Sequence, residues 1–268
     1  MFHPAAGFAN FHFCIIIHIM LLTIDVGNTT TGIAIFEDEK IVTKNKLMTP
    51  NEVSENFLKS LIKKEFRKRI TRVVVSSVVP FIDRSMQNSV IALFGRKALF
   101  IDHKTDTGLA IKIDIPNELG ADRIADSVGA LHFFDPPLII IDSGTATTFD
   151  IISRDFEYLG GAIFPGIELS INSLARNTAK LERITFGVPD SILGTNTDTS
   201  IRAGIFYSYL GGLAYMIDQY KKLLGGSAKV VATGGLSRYF KDHLDGIDLY
   251  EPDLIYYGLR KIHHRAES

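Results

Sequence analysis

The chain has almost no cysteine: Cys14 is the single one in 268 residues. A lone thiol can form neither an internal disulfide nor a thiolate metal cluster, so a reducing compartment is the default and a cytoplasmic location is expected. Tryptophan is absent, and 29 basic residues against 30 acidic ones leave a net charge of -1. That balance argues against nucleic acid or an acidic membrane surface as the main partner. No apolar run reaches the roughly 20 residues of a membrane span. The nearest candidate, Phe11 to Ile24, is shorter and is interrupted by His12 and His18. No Gly-x-x-x-x-Gly-Lys-Ser/Thr occurs, so a P-loop is excluded. No Gly-x-Gly-x-x-Gly follows a strand, which disfavours a Rossmann dinucleotide site.

Charge is also missing from the first 19 residues, which carry no Asp, Glu, Lys or Arg yet hold Cys14 and three of the eight histidines. A signal peptide needs a basic start and a small-residue cleavage site, and neither is present. Translation is therefore expected to start at Met20, with residues 1–19 a non-native or disordered N-terminal extension.

The chain is 46% hydrophobic and 22% charged, which is a globular composition. Its length allows one large domain or two small ones. Leu21–Asp25 and Ile33–Phe36 read as two strands of a hairpin, closed by a small-residue turn. From Val53, apolar residues at Phe57, Leu58, Leu61, Ile62, Phe66 and Ile70 follow helical spacing. The basic cluster Lys63, Lys64, Arg67, Lys68 and Arg69 reads as the solvated C-terminal end of that helix. Arg72–Val79 predicts a buried strand ended by Pro80. Helices are expected near Ile82–Phe94, Leu119–Phe134, Ile167–Leu181 and Thr197–Leu224, with strands at Ala98–Ile101 and Leu138–Asp142. Alternating strands and helices predict α/β architecture. His103, His132, His243 and the His263-His264 pair lack metal-ligand spacing and read as surface or partly buried residues.

The chain repeats itself. Leu21 to Thr31 aligns with Leu138 to Thr148 at an offset of 117 residues, with identities at Leu21, Ile24, Asp25, Gly27, Thr30 and Thr31. Each copy is an apolar strand, then Asp-x-Gly, then hydroxyl-rich residues. The offset is a domain length and not a solenoid period. It predicts two similar halves, 20–136 and 137–268, joined near Pro136-Pro137 and facing one cleft with their Asp-Gly hairpins. Glycine admits a ligand close to the backbone, and exposed amides with Thr or Asn side chains donate to phosphate oxygens. A carboxylate at the strand end holds a cation against those phosphates, directly or through water. One such turn is ordinary; two after matching strands point to phosphate chemistry. Val230–Leu236 reads as a strand ending in a Thr-Gly-Gly turn, which suits either a flat adenosine or a strand-to-helix connection.

These residues resemble the acetate kinase, sugar kinase, Hsp70 and actin superfamily, and within it the type III pantothenate kinases. The resemblance rests on Asp25-Val-Gly-Asn-Thr29, Gly120-Ala-Asp-Arg123, Asp142-Ser-Gly-Thr-Ala-Thr147, Gly160-Gly-Ala-Ile-Phe-Pro-Gly166, Asn196-Thr197 and Thr233-Gly-Gly235, in the family's order, from Met20 to about Leu259. It implies duplicated ribonuclease H-like (actin-like ATPase) halves with a nucleotide cleft between them. It also implies ATP-dependent phosphorylation of pantothenate, the first step toward coenzyme A, by a homodimer using Mg2+ and K+ or NH4+.

By the same resemblance Asp122 is the catalytic base. ATP and its phosphates fall to Asp25, Val26, Gly27, Asn28, Thr29, Thr30, Thr31, Gly32 and Thr145. Substrate falls to Gly120, Ala121, Asp122, Arg123 and Thr197; the monovalent cation falls to Asp142, and the divalent cation to Asp25 through water. For Arg123 an ion pair with Asp126, one turn further along the helix, is the competing reading. The chain departs from the family at Ile113, where a pantothenate-contacting tyrosine is common, and at Ser143, where Phe is more usual. A kinase for another small alcohol, a nucleotide-binding regulator and a phosphatase on the related scaffold are the alternatives. Retention of Asp25, Asp122 and Asp142 argues against a degenerate, purely regulatory scaffold.

Overall fold

A computed structural model describes residues 20–176, 186–240 and 242–267. The expectation for residues 1–19, and the end of the helix expected over Ile167–Leu181, lie outside the described residues. Strands β1 (Met20–Val26), β2 (Thr30–Glu37), β3 (Lys40–Met48), β4 (Ile70–Ser77) and β5 (Leu99–Phe100) form one sheet, in the order β3-β2-β1-β4-β5. Strands β6 (Ala110–Ile111), β7 (Leu138–Ser143), β8 (Ala146–Ile152), β9 (Glu157–Pro165), β10 (Lys229–Thr233) and β11 (Leu249–Tyr250) form the other, in the order β11-β10-β7-β8-β9-β6.

The two sheets share one plan. In each, an antiparallel meander leads from the first strand, and two parallel strands sit on that strand's far side: β1, β2, β3 with β4 and β5, and β7, β8, β9 with β10 and β11. The additional strand β6 lies upstream of Pro136 but pairs with β9. The Pro136-Pro137 bond is cis.

Helices α4 (Ala121–Phe133) and α7 (Leu254–Glu267) form the layer between the sheets. One apolar cluster joins Leu21, Ala34 and Val74 of the first sheet, Ile140, Ile152 and Val231 of the second, and Ile124, Val128, Leu259 and Ile262 of the helices. Here α4 and α7 touch backbone to backbone. A Cβ on Gly258 would stand 1.8 Å from the Ala125 carbonyl oxygen, and one on Gly129 would stand 2.3 Å from that of Leu254. Only glycine fits such a crossing.

On the outer faces, α1 (Glu55–Leu61) and α3 (Pro80–Phe94) cover the first sheet. Helices α5 (Ile167–Arg176) and α6 (Thr197–Leu223) cover the second.

The helix expected from Val53 to Ile70 is instead broken. Ile62 is extended at the C-cap of α1, a short α2 (Lys64–Arg67) follows, and Ile70 already belongs to β4, opposite Met20. Sheet pairing overrides the local period there. The basic cluster has partners: Arg67 donates to the carbonyls of Lys59 and Ile62 at the end of α1, and Arg69 pairs with Glu37. Pro80 opens α3 at its first turn, where no amide hydrogen is needed. β3 had no sequence signature, because it is a mostly exposed strand with three lysines.

Candidate active site

Strand alternation decides which residues enter the layer between the sheets. Ile24 and Val26 pack outward, so Asp25 between them faces inward, opposite Gly32. Ile139 and Ile141 likewise pack outward, so Asp142 faces inward, opposite Thr148. The two turns that follow meet: Thr29 Oγ1 and Thr145 Oγ1 are 3.3 Å apart.

Helix α4 begins at the same place. Gly120 is its N-cap and Ala121 is buried at its first position, which sets Asp122 in the first turn. The Arg123 amide donates to Asp122 Oδ1 at 2.8 Å. This bond and the nearby guanidinium lower the Asp122 pKa, but burial outweighs them and the net shift is upward. Asp25 is pushed up to about 7 by burial and then by the negative charge of Asp122. Asp142 is also pushed up to about 7, by burial, then Asp122, then Asp150. Asp122 is thus the strongest charged neighbour of both turn carboxylates. Lys46, on β3, is the cation that offsets these two.

Asp126, one turn along α4, is 4% exposed, and its Oδ1 has no hydrogen-bond partner among the described residues. Burial and the charges of Asp142, Asp122, Asp25 and Asp150 all raise its pKa. It makes no ion pair with Arg123. That guanidinium instead donates from Nε to Asp150 Oδ1 at 2.8 Å and from Nη2 to the Phe149 carbonyl at 3.0 Å. Tyr158 donates its hydroxyl to the same Asp150 oxygen.

The remaining residues separate by position. Asn28, Thr29 and Thr145 are exposed at the turn tips, and Gly27 and Thr30 are partly exposed. The side chains of Val26 and Thr31 point away from the carboxylates: both are buried on the outer face, where Thr31 Oγ1 meets Thr49 Oγ1 at 3.0 Å. Gly32 is buried beneath the Tyr256 hydroxyl. Thr197 is an exposed residue at the start of α6. Ile113 is partly buried and stands beside Gly160. The Thr-Gly-Gly turn closes on the second hairpin, where the Leu236 amide donates to the Ser143 carbonyl at 3.1 Å. Gly234 has φ +84°, and a Cβ there would stand 2.2 Å from Asp142 Oδ1.

Asp150, Tyr158 and Lys46 escaped the sequence reading, and Asp126 entered it only as an alternative ion-pair partner for Arg123. For the two acids a signal existed, since each interrupts an otherwise apolar stretch. For Lys46 there was none.

The residues present suit cations. Several inward carboxylates face one lysine, and one buried carboxylate oxygen lacks a partner. No group of three or more acids, histidines or cysteines among the described residues is placed to hold a metal ion by itself. A cation here would therefore complete its coordination with water and ligand oxygens.

A family model described as type III pantothenate kinase matches residues 21–219. Type III pantothenate kinase of Anaeromyxobacter dehalogenans strain 2CP-C is 37% identical over 252 residues, which cover 92% of this chain and 99% of that protein. This chain belongs to the type III pantothenate kinase family. The family's enzyme from Bifidobacterium longum subsp. infantis is 36% identical over the same coverage. Among solved structures, a Campylobacter jejuni protein described as a Baf family transcriptional activator superposes with a TM-score of 0.58 at 19% identity, covering 92% of this chain and 98% of that one. A Listeria monocytogenes protein described as an N-acetylmannosamine kinase superposes with a TM-score of 0.52 at 10% identity, covering 93% and 100%. These likenesses bear on the fold, which is that of the actin-like ATPases and sugar kinases. Among the described residues no helix is long and apolar enough to cross a membrane.

Proposed function

We propose that this protein transfers the terminal phosphoryl group of ATP to the primary hydroxyl of pantothenate, giving 4'-phosphopantothenate at the start of coenzyme A synthesis. Family membership over nearly the whole length of its relatives supports the reaction. The observation that carries the mechanism is Asp122, a partly buried carboxylate with a raised pKa, set at a helix start beside two Asp-x-Gly turns.

Phosphoryl transfer asks mainly for positioning and charge stabilisation. Gly27, Asn28, Thr29, Thr30 and Thr145 hold the phosphates. Asp25 orients the Mg2+ of the nucleotide through water, and Asp142 holds K+ or NH4+; these ions supply charge neutralisation when bound. Asp122 accepts the proton of the attacking hydroxyl. A carboxylate is a weak base toward an alcohol, so the proton moves late, once bonding to phosphorus has made the hydroxyl acidic. Arg123, with Gly120 and Ala121, frames the acceptor, and Thr197 contributes a further substrate contact. The missing phenol at Ile113 removes one polar contact.

The working form is a cytoplasmic homodimer. Support comes from an apolar outer face along α5 and α6, where Leu169, Tyr215 and Leu223 are exposed and Gly204, Gly211 and Gly212 leave open space beside the helix. Close helix approach by a second copy would fill it.

The test is an ATP-coupled assay with pantothenate, with and without K+ or NH4+. Cation-dependent turnover is expected. ATP binding without turnover of pantothenate would overturn the assignment.

A further inference from the structure

Asp150 is 1% exposed in the middle of β8, between the buried Phe149 and Ile151. An acid there needs a reason. Its oxygens take the Arg123 Nε, the Tyr158 hydroxyl and, at 3.2 Å, the Thr148 hydroxyl. Tyr158 is itself 1% exposed, on the neighbouring strand β9. The Arg123 side chain is 17% exposed and runs 5.9 Å from the centre of the Tyr158 ring. Two of its donor positions, Nε and Nη2, are bound to β8; Nη1 has no hydrogen-bond partner among the described residues. A guanidinium on α4 is thus clamped by a carboxylate, a carbonyl and a ring face, all from the second sheet. A planar fork held at two points has one orientation left.

We infer that Asp150, braced by Tyr158, is a positioning residue that fixes the Arg123 guanidinium so that its Nη1 edge meets a polar oxygen of the acceptor substrate. The inference rests on the proposed kinase reading. The carboxylate also offsets much of the Arg123 charge, so recognition comes from the direction of the free N–H groups more than from attraction at a distance. Tyr158 cannot stand in for the phenol missing at Ile113, because its hydroxyl is committed to Asp150.

The test compares Asp150→Asn and Tyr158→Phe with the wild type in steady-state kinetics for both substrates, with calorimetric binding of pantothenate alongside. Asp150→Asn keeps the shape and an acceptor oxygen but loses the charge-assisted bond. Its KM for pantothenate is expected to rise about tenfold or more, while kcat stays within about threefold and the KM for ATP is unchanged. Tyr158→Phe is expected to shift the same constant in the same direction by about threefold, and it keeps the question answerable should Asp150→Asn fail to fold. Pantothenate KM and affinity unchanged in the folded variants, or ATP and pantothenate KM values rising together, would overturn the positioning role. A wild type inert toward pantothenate would instead defeat the functional reading, and this inference with it.

Discussion

The two hairpin turns begin with the same letters and are braced from equivalent places in the two sheets, yet they differ in length and in what lies behind them. The first, after β1, is held by the segments after β3 and β4: the Val78 amide donates to the Val26 carbonyl at 3.0 Å. Thr49, just beyond β3, donates its hydroxyl to the Gly27 carbonyl at 2.7 Å and its amide to the Thr29 carbonyl at 3.0 Å. The second, after β7, is held by the corresponding segments after β9 and β10. The Gly166 amide donates to the Thr145 carbonyl at 3.0 Å, and the Leu236 amide donates to the Ser143 carbonyl.

Their lengths differ. Gly27 bonds to Thr30 across the first turn, whereas Gly144 bonds to Ala146 across the second, one residue sooner. The 117-residue offset therefore misaligns the return strands. It matches Thr31 with Thr148, but the threonine opposite Val26 is Thr31, and the one opposite Ser143 is Thr147. Thr31 and Thr147 are the true counterparts: each is fully buried on the outer face, the first against Thr49 and the second against Tyr209. A duplicated motif preserves the inward carboxylate, the open tip and the places that brace it, while the turn length and the outer-face partner diverge.

This contrast can be broken from its centre outward. Asp122 serves both turns, so Asp122→Asn should have the largest effect: turnover falls by at least about 100-fold with the fold intact. Near-normal turnover in a coupled assay would remove it as the base. Gly234→Ala tests the bracing of the second turn alone. Its Cβ has no room beside Asp142 and its φ is positive, so a loss of about 1–3 kcal/mol in denaturant unfolding is expected. Gly235→Ala, with nothing within 4 Å of its added Cβ, should cost less. A stability loss no larger than that of Gly235→Ala would show that the turn does not depend on this bracing.

The two turn carboxylates also set a pH dependence. Their pKa lies near 4 in an unfolded chain and about 7 in the fold. The folded state therefore binds more protons between those values, and the stability this confers is lost as pH rises through about 7. The ligand-free protein in low salt should melt at a lower temperature at pH 8 than at pH 6, with added K+ and Mg2+ narrowing the gap. A melting temperature that rises over this interval would contradict the shifts. The smallest effect belongs to the outer-face pair. Thr31→Val and Thr147→Val should each cost about 1 kcal/mol in stability and leave the KM for ATP unchanged. A several-fold rise in that KM would bring the outer threonines back into the phosphate site.

Much of the fold is legible in local patterns. The hairpin strands, α6 and the glycine turn after β10 fall where periodicity and small residues put them, because alternation and helical spacing are short-range signals. The break between α1 and α2 was hidden, since apolar spacing continues through Ile70 while the sheet claims that residue for β4. In the site, Asp25, Asp122 and Asp142 were visible through the repeat and the motif order. That the Val26 and Thr31 side chains face away from the two carboxylates was not legible, because a motif lists neighbours in sequence, whereas a strand turns successive side chains to opposite faces.

The sequence by itself determined that there are two equivalent strand-turn-strand units, that each ends in an inward acid, and that a third acid opens a helix between them. Only the tertiary structure decided what those acids meet. Arg123 reaches Asp150 and not Asp126, although Asp126 is its helical neighbour and Asp150 lies 27 residues away. The choice depends on which helix face looks toward the second sheet. That face is fixed by the glycine crossing of α4 with α7, a contact between residues more than a hundred positions apart, which no local spacing encodes.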